Sequence, residues 1–247
     1  MQTVRDYHQE DKPVEKKKPL SYNFSVYANI TEQYASEAAF LWLLREQALT
    51  SPQYVTTDII DLEQRIEANL RGLSTAGEHG WLVCVDQLAF EEAGEIFVAA
   101  VVALRSRNAT NIKMVCELAL KTPEMTRGLV SAIGWIETEI ANFWIQRFLG
   151  VSDPVYKTLG LSICRVKREF PEKQLLAILR DPATSNHPPL HSRLVRLIGE
   201  LKRWELVPAL NAAMEAENEE VRFWANWSAA MLGNPAAVKN LEPWVME

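Results

Sequence analysis

The stretch Glu219–Pro235, EEVRFWANWSAAMLGNP, decides the fold class of this 247-residue chain. Its apolar residues recur three and four positions apart, which is the spacing of one face of an α-helix. The stretch ends in Leu-Gly-Asn-Pro, where glycine favours the end of a helix and proline is tolerated at the first position of the next one. It therefore predicts a helix, a tight turn with Asn234 as N-cap, and a second helix that begins at Pro235.

Weaker copies of this pattern precede it in the chain. Segments that begin at Val155, Leu190 and Val221 align with offsets of 35 and 31 residues, and steps back of 30 and 29 residues reach Met125 and Ile96. Each unit holds two apolar helical stretches and a short turn. One helical hairpin cannot bury its apolar face, whereas stacked hairpins bury a continuous core. The repeats predict an all-α, right-handed α-solenoid of about five helical hairpins.

The chain divides into three predicted parts. Residues 1–27 are polar and rich in lysine, which predicts a flexible leader. Residues 28–90 hold three apolar helical stretches that do not match the repeat, and we expect a divergent helical N-terminal cap. Residues 91–247 are expected to form the solenoid. Its last helix offers apolar residues where a polar cap is normal, so we expect a longer parent protein, a partner, or self-association through this end.

The opening stretch also resembles a known repeat, the HEAT repeat of the phycobilisome-lyase type. The matching residues are Glu219, Val221, Arg222, Ala225, Ala229, Leu232, Gly233 and Pro235. The segments EAAFLWLLREQAL, DIIDLEQRIEANLRGL, AGEHGW and AGEIFVAAVVAL are similar to an uncharacterised bacterial HEAT-repeat family whose members lie in or near type VI secretion gene clusters. The resemblance implies a scaffold or adaptor for other proteins and carries over no catalytic residue.

Composition limits the location and the partners. The net charge of −6 opposes binding to nucleic acid and to anionic membranes. No stretch reaches the roughly 20 apolar residues of a membrane span, and the first residues lack the apolar run of a secretory signal. Cys84, Cys116 and Cys164 each lie in an apolar helical pattern, which predicts buried free thiols and a cytoplasmic location.

We expect no enzyme, cofactor or metal site. The sequence contains no glycine-rich phosphate loop, no His-Glu-x-x-His and no Gly-x-Ser-x-Gly. His187 and His191 are four residues apart, but two prolines separate them, which disfavours a metal pair. The alternative function is a HEAT-like nucleic-acid binder or DNA base-excision enzyme, which needs a basic concave groove. A chromophore-lyase role is suggested only by the name of the repeat.

Two surfaces are candidates for partner binding. The second helices are expected to line the concave face, and their polar positions mix both signs of charge, which suits a protein ligand. These groove positions are Lys113, Glu117, Gln146, Arg147, Lys173, Arg180 and Asn211. A basic ridge is the second candidate, with a solvated outer face as its alternative. The ridge comprises Arg165, Lys167, Arg168, Arg193, Arg196, Lys202 and Arg203.

Arg222 and the eight tryptophans are expected to serve structure. In repeats of this type an arginine at this position bonds an acidic residue of a neighbouring unit, here one of the glutamates at 217, 219 or 220. Large aromatic side chains fill the space between stacked hairpins. Trp224 and Trp227 are three residues apart and cannot both face the core, so we expect one to be exposed or covered by a further repeat.

Overall fold

The computed structural model describes residues 24–244, with side chains from residue 29 onward, so the predicted leader lies largely outside the described residues. Helices account for the regular structure of this part, and it contains no strand. The helices are α1 Phe24–Ala48, α2 Thr56–Thr75, α3 Glu78–Gln87, α4 Ala93–Arg105, α5 Ala109–Ala119, α6 Pro123–Trp135, α7 Thr138–Gly150, α8 Pro154–Lys167, α9 Glu172–Arg180, α10 Pro182–Ser185, α11 Pro188–Glu200, α12 Val207–Ala213, α13 Glu219–Met231 and α14 Pro235–Leu241.

The predicted hairpins are present. The first helices α4, α6, α8, α11 and α13 each begin one to three residues before the predicted unit start, and α5, α7, α9, α12 and α14 follow them as second helices. Prolines begin many of these helices, where the missing N–H has no intrahelical partner to lose. The all-α solenoid is therefore confirmed, and α1 to α3 lie in the region predicted as the cap.

The turns after α8, α11 and α13 share one geometry. Arg168, Lys202 and Gly233 take left-handed backbone angles, with φ of 56°, 54° and 88°. The next residue in each turn donates its N–H back over five residues, from Glu169 to Cys164, from Arg203 to Ile198 and from Asn234 to Ala229, each at 2.9 Å. This is the Schellman motif, which glycine favours. The Asn234 side chain then accepts from the N–H of Ala236 at 3.0 Å, which confirms it as the N-cap of α14.

The first helices pack side by side in one row. The order of contact is α1, α4, α6, α8, α11 and α13, so α1 takes the place of a first helix at the head of the row. Residues 96–104 of α4 are all buried, because α1, α2, α3, α5 and α6 pack around that helix. The row of first helices is thus the continuous core of the stack.

Small residues allow this row to pack closely. A Cβ added to Gly128 on α6 would lie 2.3 Å from the carbonyl oxygen of Ala93 on α4. That distance is far inside van der Waals contact, and a backbone atom cannot rotate away as a side chain can. The spacing of α4 and α6 therefore requires a glycine at this position.

Aromatic side chains join the cap to the first two repeats. The Trp42 ring of α1 stacks on Phe97 of α4, with centroids 5.3 Å apart, and its Nε1 donates to Ser131 Oγ of α6 at 2.8 Å. Phe97 in turn meets the edge of Trp135. The Trp42 side chain is buried and its N–H has an acceptor, so its burial leaves no polar group unpaired.

The Glu67 carboxylate accepts hydrogen bonds from side chains of three helices at this junction. Glu67 of α2 accepts from Trp135 Nε1 at 2.9 Å, from Arg105 Nη2 at 3.1 Å and from Arg71 Nε at 2.8 Å. Burial raises the pKa of Glu67, but the hydrogen bonds from Trp135, Arg105 and Arg71 outweigh burial and hold the pKa below its usual value. The ionised form of Glu67 therefore stabilises the contact of α2 with α4 and α6.

The three cysteines are buried free thiols, as the sequence predicts. Burial raises the pKa of Cys84, Cys116 and Cys164 to about 12. Because the thiolate is the reactive form, these side chains act as small apolar residues of the core.

We predict that Gly128→Ala lowers the free energy of unfolding by about 1–3 kcal/mol, because α4 and α6 must separate to admit the methyl group. Gly134→Ala on the same helix is the matched control, since its Cβ meets only the Val166 side chain at 3.4 Å. Alanine favours helix over glycine, so the control should leave stability unchanged or raise it. Urea denaturation measures both, and equal effects would contradict the close approach.

We predict that Glu67→Gln lowers the free energy of unfolding at pH 7 by about 1–2 kcal/mol. The pKa of Glu67 is lower in the folded chain than in the unfolded one. Its contribution is therefore present above pH about 4.5 and is lost as the pH falls through the folded pKa. Urea denaturation at pH 7 and pH 3 should show the difference between wild type and variant shrinking in acid.

Glu139→Gln is the control for this comparison. Glu139 also pairs with an arginine, Arg107, but its side chain is 85% exposed. Exposed ion pairs contribute little, so this variant should differ from wild type by less than about 0.5 kcal/mol. A constant effect of Glu67→Gln at every pH would show that its charge does not matter.

Candidate interaction surface

The seven predicted groove residues all have exposed side chains. They lie on four successive second helices, α5, α7, α9 and α12. Lys113 and Glu117 neutralise each other in part, with Nζ and Oε1 3.7 Å apart. Gln146 of α7 accepts a hydrogen bond from Gln174 of α9, which links neighbouring hairpins. The row therefore presents polar groups of both signs to solvent, and its role in binding stays a prediction.

A cavity of about 610 Å³ opens beside this row, at α9 to α13. Its wall consists largely of small and apolar residues, Leu179, Pro188, Ala209, Ala212, Ala213 and Ala216. We call this cavity the alanine notch. Two groove residues, Arg180 and Asn211, neighbour its lining residues in sequence. The sequence carries a signal for the notch in the alanines of α12, where larger side chains would close the space.

The predicted basic ridge separates into parts with different environments. Lys167 donates its Nζ to the carbonyl oxygens of Gly134, at 2.9 Å, and of Ile136, where α6 ends. Burial lowers the pKa of Lys167. Arg203 lies over the Phe170 ring at 4.0 Å. These two cations have partners within the chain, so the ridge is not one continuous row of free charges.

Two arginines of the ridge share a single carboxylate. Arg165 of α8 and Arg196 of α11 both donate to Oε1 of Glu200, at 3.0 and 2.8 Å. The guanidinium of Arg196 also lies 3.9 Å from the centre of the Trp224 ring of α13. Three consecutive first helices therefore meet at these side chains. Arg168 adds one long contact of 3.5 Å to the carbonyl oxygen of Glu200.

Arg193 belongs to the same group but has no such partner. Its side chain is half-buried, and within residues 24–244 it forms no hydrogen bond or ion pair; its Nη1 atom is fully covered. Burial lowers the pKa of Arg193, and repulsion from Arg196 and Arg165 lowers it further, against attraction from two glutamates. We call Arg165, Arg193 and Arg196 the arginine cluster.

Arg222 bonds the turn before its own helix, and its partners differ from the predicted carboxylates. Its Nη1 donates to the backbone carbonyls of Ala216, at 2.9 Å, and Glu217, at 3.1 Å. The chain after α12 turns directly across the start of α13, which brings these carbonyls within reach. Arg222 thus fixes the entry of the chain into α13 through backbone acceptors.

The tryptophan pair of α13 also differs from expectation. Trp224 and Trp227 are both half-buried, because Arg196 covers one ring and the two rings meet edge to face with centroids 5.5 Å apart. The exposed tryptophan is Trp204, which is 56% accessible. Met231 and Val238 are exposed on the last hairpin. The predicted self-association through this end stays a prediction.

The described residues offer little for metal or membrane chemistry. No group of three or more potential metal ligands occurs among residues 24–244. His187 caps α11 by accepting the N–H of Leu190 on Nδ1 at 3.2 Å, and burial lowers the pKa of His191. None of the helices described is both long and apolar enough to cross a bilayer.

Comparison with known proteins gives one match. Residues 172–246 match the family model of HEAT repeats, a range that includes α9 and every later helix. Neither a curated protein nor a solved structure matches the chain. Residues 172–246 are therefore similar to HEAT repeats, and the hairpins before them continue the same helical stack.

Proposed function

We propose that this chain is a non-enzymatic scaffold or adaptor that binds another protein along its second helices. The alanine notch carries the proposal, because it is an open space of about 610 Å³ with a small, apolar wall. Apolar pockets with a polar rim are typical places for the anchor side chain of a protein partner. HEAT repeats elsewhere serve as helical scaffolds for such partners, and residues 172–246 match them.

The charges of the groove residues favour a protein over a polyanion. The groove residues mix both signs, with Glu117 beside Lys113 and the uncharged Asn211 on α12. Nucleic acid binding needs a run of free positive charges that neutralise successive phosphates. The overall charge of −6 works against such binding. The nucleic-acid alternative therefore has less support than protein binding.

We propose further that the scaffold is an accessory component of a bacterial type VI secretion system and works in the cytoplasm. The support is the resemblance of the cap segments and the first repeat to a family found near such gene clusters. The partner would then be a component or a cargo of that system. Loss of secretion after deletion of the gene, restored by the wild-type copy, is the expected outcome.

We predict that Ala212→Trp abolishes partner capture while the chain stays folded. Ala212 is exposed and lines the notch, so an indole at this position fills the space without displacing core residues. The measurement is affinity capture from the native cytoplasm with quantitative mass spectrometry, with thermal unfolding as the folding check. Ala68→Trp is the control, because Ala68 is an exposed alanine on α2, within the cap.

Three outcomes of this capture experiment are informative. Proteins retained by wild type and by Ala68→Trp but lost from Ala212→Trp support the scaffold and place the partner in the notch. Absence of any protein above background counts heavily against the proposal. A titration with duplex and single-stranded DNA at low salt tests the alternative, and tight binding there would favour a nucleic-acid function.

A further inference from the structure

We propose that the arginine cluster binds an acidic side chain of the partner protein, with Arg193 as the residue that contacts its carboxylate. The inference deepens the proposed function and rests on it. It names a second point of contact, on the first helices α8 and α11, and the chemistry of the group recognised there. The inference rests on the position of Arg193, which is half-buried and has no hydrogen bond or ion pair within residues 24–244.

Arg193 is a half-buried cation without a partner. Within the part of the chain that the structure describes, its guanidinium makes no hydrogen bond and no ion pair. A lysine in such a place can lose its proton, but an arginine stays charged at any pH at which the protein is folded. Buried charges without partners are costly and rare. Two glutamates attract Arg193 without bonding it, so its guanidinium is open to a bond with an anion from outside the chain.

The carboxylates close to the cluster do not fill this role. Glu200 Oε1 accepts from Arg165 and Arg196, whereas its Oε2 is buried without a hydrogen bond, and neither oxygen bonds Arg193 although Glu200 attracts it. Glu220 attracts Arg193 without forming an ion pair. Three arginines thus face two glutamates, Glu200 and Glu220, which leaves an excess of positive charge. A carboxylate from a partner would restore the balance and accept a charge-assisted bond from Arg193.

The neighbours of Arg193 are held in place before any ligand arrives. Arg196 is fixed from one side by Glu200 and from the other by the Trp224 ring. Arg165 is fixed by the same glutamate. A preorganised cluster loses little side-chain freedom on binding, which favours recognition of a small, directional group.

A single acidic group fits this site better than a nucleic-acid backbone. Two of the positive charges that would extend the site into a track have partners elsewhere, with Lys167 on backbone carbonyls and Arg203 on an aromatic ring and 2.6 Å from Glu205. Phosphate binding along a backbone requires several free cations in sequence. The arginine cluster offers one free guanidinium with two supporting ones.

The test uses a blocked peptide of four glutamates as the probe and a blocked peptide of four glutamines as its uncharged match. Calorimetric titration at low salt should show that wild type binds the glutamate peptide and not the glutamine peptide. Arg193→Gln should weaken binding of the glutamate peptide roughly tenfold or more, because the free guanidinium is lost. Arg65→Gln, an exposed arginine on α2 that pairs with Glu37, should bind as wild type does.

Stability gives a second readout that a structural arginine would not produce. Arg193 makes no internal bond, and its removal relieves repulsion with Arg196 and Arg165. The melting temperature of Arg193→Gln should therefore stay equal to that of wild type or rise, as at binding sites that sacrifice stability. A lower melting temperature would assign Arg193 to the fold and overturn the proposal.

The remaining outcomes separate this inference from the scaffold itself. Equal binding of both peptides, or equal binding by wild type and Arg193→Gln, overturns the inference. Partner capture that is lost in Ala212→Trp but unchanged in Arg193→Gln leaves the scaffold intact and overturns the acidic contact. Binding of single-stranded DNA that depends on Arg193, without binding of the glutamate peptide, also overturns it. Peptide binding that depends on Arg193, in a chain that captures no protein, supports acid recognition while the scaffold fails.

Discussion

Close packing between first helices of successive repeats is the constraint on which this structure depends. A hairpin of about thirty residues has more apolar surface than its own two helices can cover, so each repeat needs the next. The row from α1 to α13 supplies that cover, and α4 is enclosed on every side. The approach is close enough that Gly128 has no room for a methyl group. The surfaces that remain free for a partner are those that this packing leaves uncovered.

The cap and the solenoid meet through polar bonds as well as apolar packing. The Trp42 ring is buried and the Trp135 ring half-buried, and each indole N–H donates to a defined acceptor, Ser131 or Glu67. Such bonds discriminate between alternative registers, because a shifted helix would leave the donors unpaired. The junction thus fixes where α1 and α2 sit against the first repeats, which apolar contacts alone would leave adjustable.

Much of the fold could be predicted because its signals are local. Helical periodicity, the prolines at helix starts and the Gly-Asn-Pro turn are each contained in a few residues, and the hairpin boundaries follow from them within three residues. The partners of charged residues could not be predicted in this way. Lys167 donates hydrogen bonds to carbonyl oxygens about thirty residues away, and Arg222 donates to backbone oxygens although glutamates lie nearby in sequence. Which acceptors these side chains reach depends on the position of the surrounding helices and turns.

The candidate surfaces also differ in how far the sequence could predict them. Exposure of the groove residues follows from their position on the polar side of second helices, and all seven are exposed. The alanine notch and the isolation of Arg193 depend on spaces and neighbours that arise only when α8 to α13 are assembled. A run of basic residues in a sequence does not show which cations have a partner in the folded chain and which have none.

The apolar core has a seam at α11. Leu194 and Leu197 belong to the large core that runs from the cap, whereas Val195 and Ile198 belong to a second, smaller core with α12 to α14. Because α11 contributes side chains to both cores, we expect α12 to α14 to be the segment that opens locally. The alanine notch spans this seam, with Leu179 on one side and Val221 on the other, and the arginine cluster borders it through the contact of Arg196 with Trp224. A partner that occupies both would hold the two cores together, so that its affinity would be coupled to the local opening equilibrium of the C-terminal hairpins.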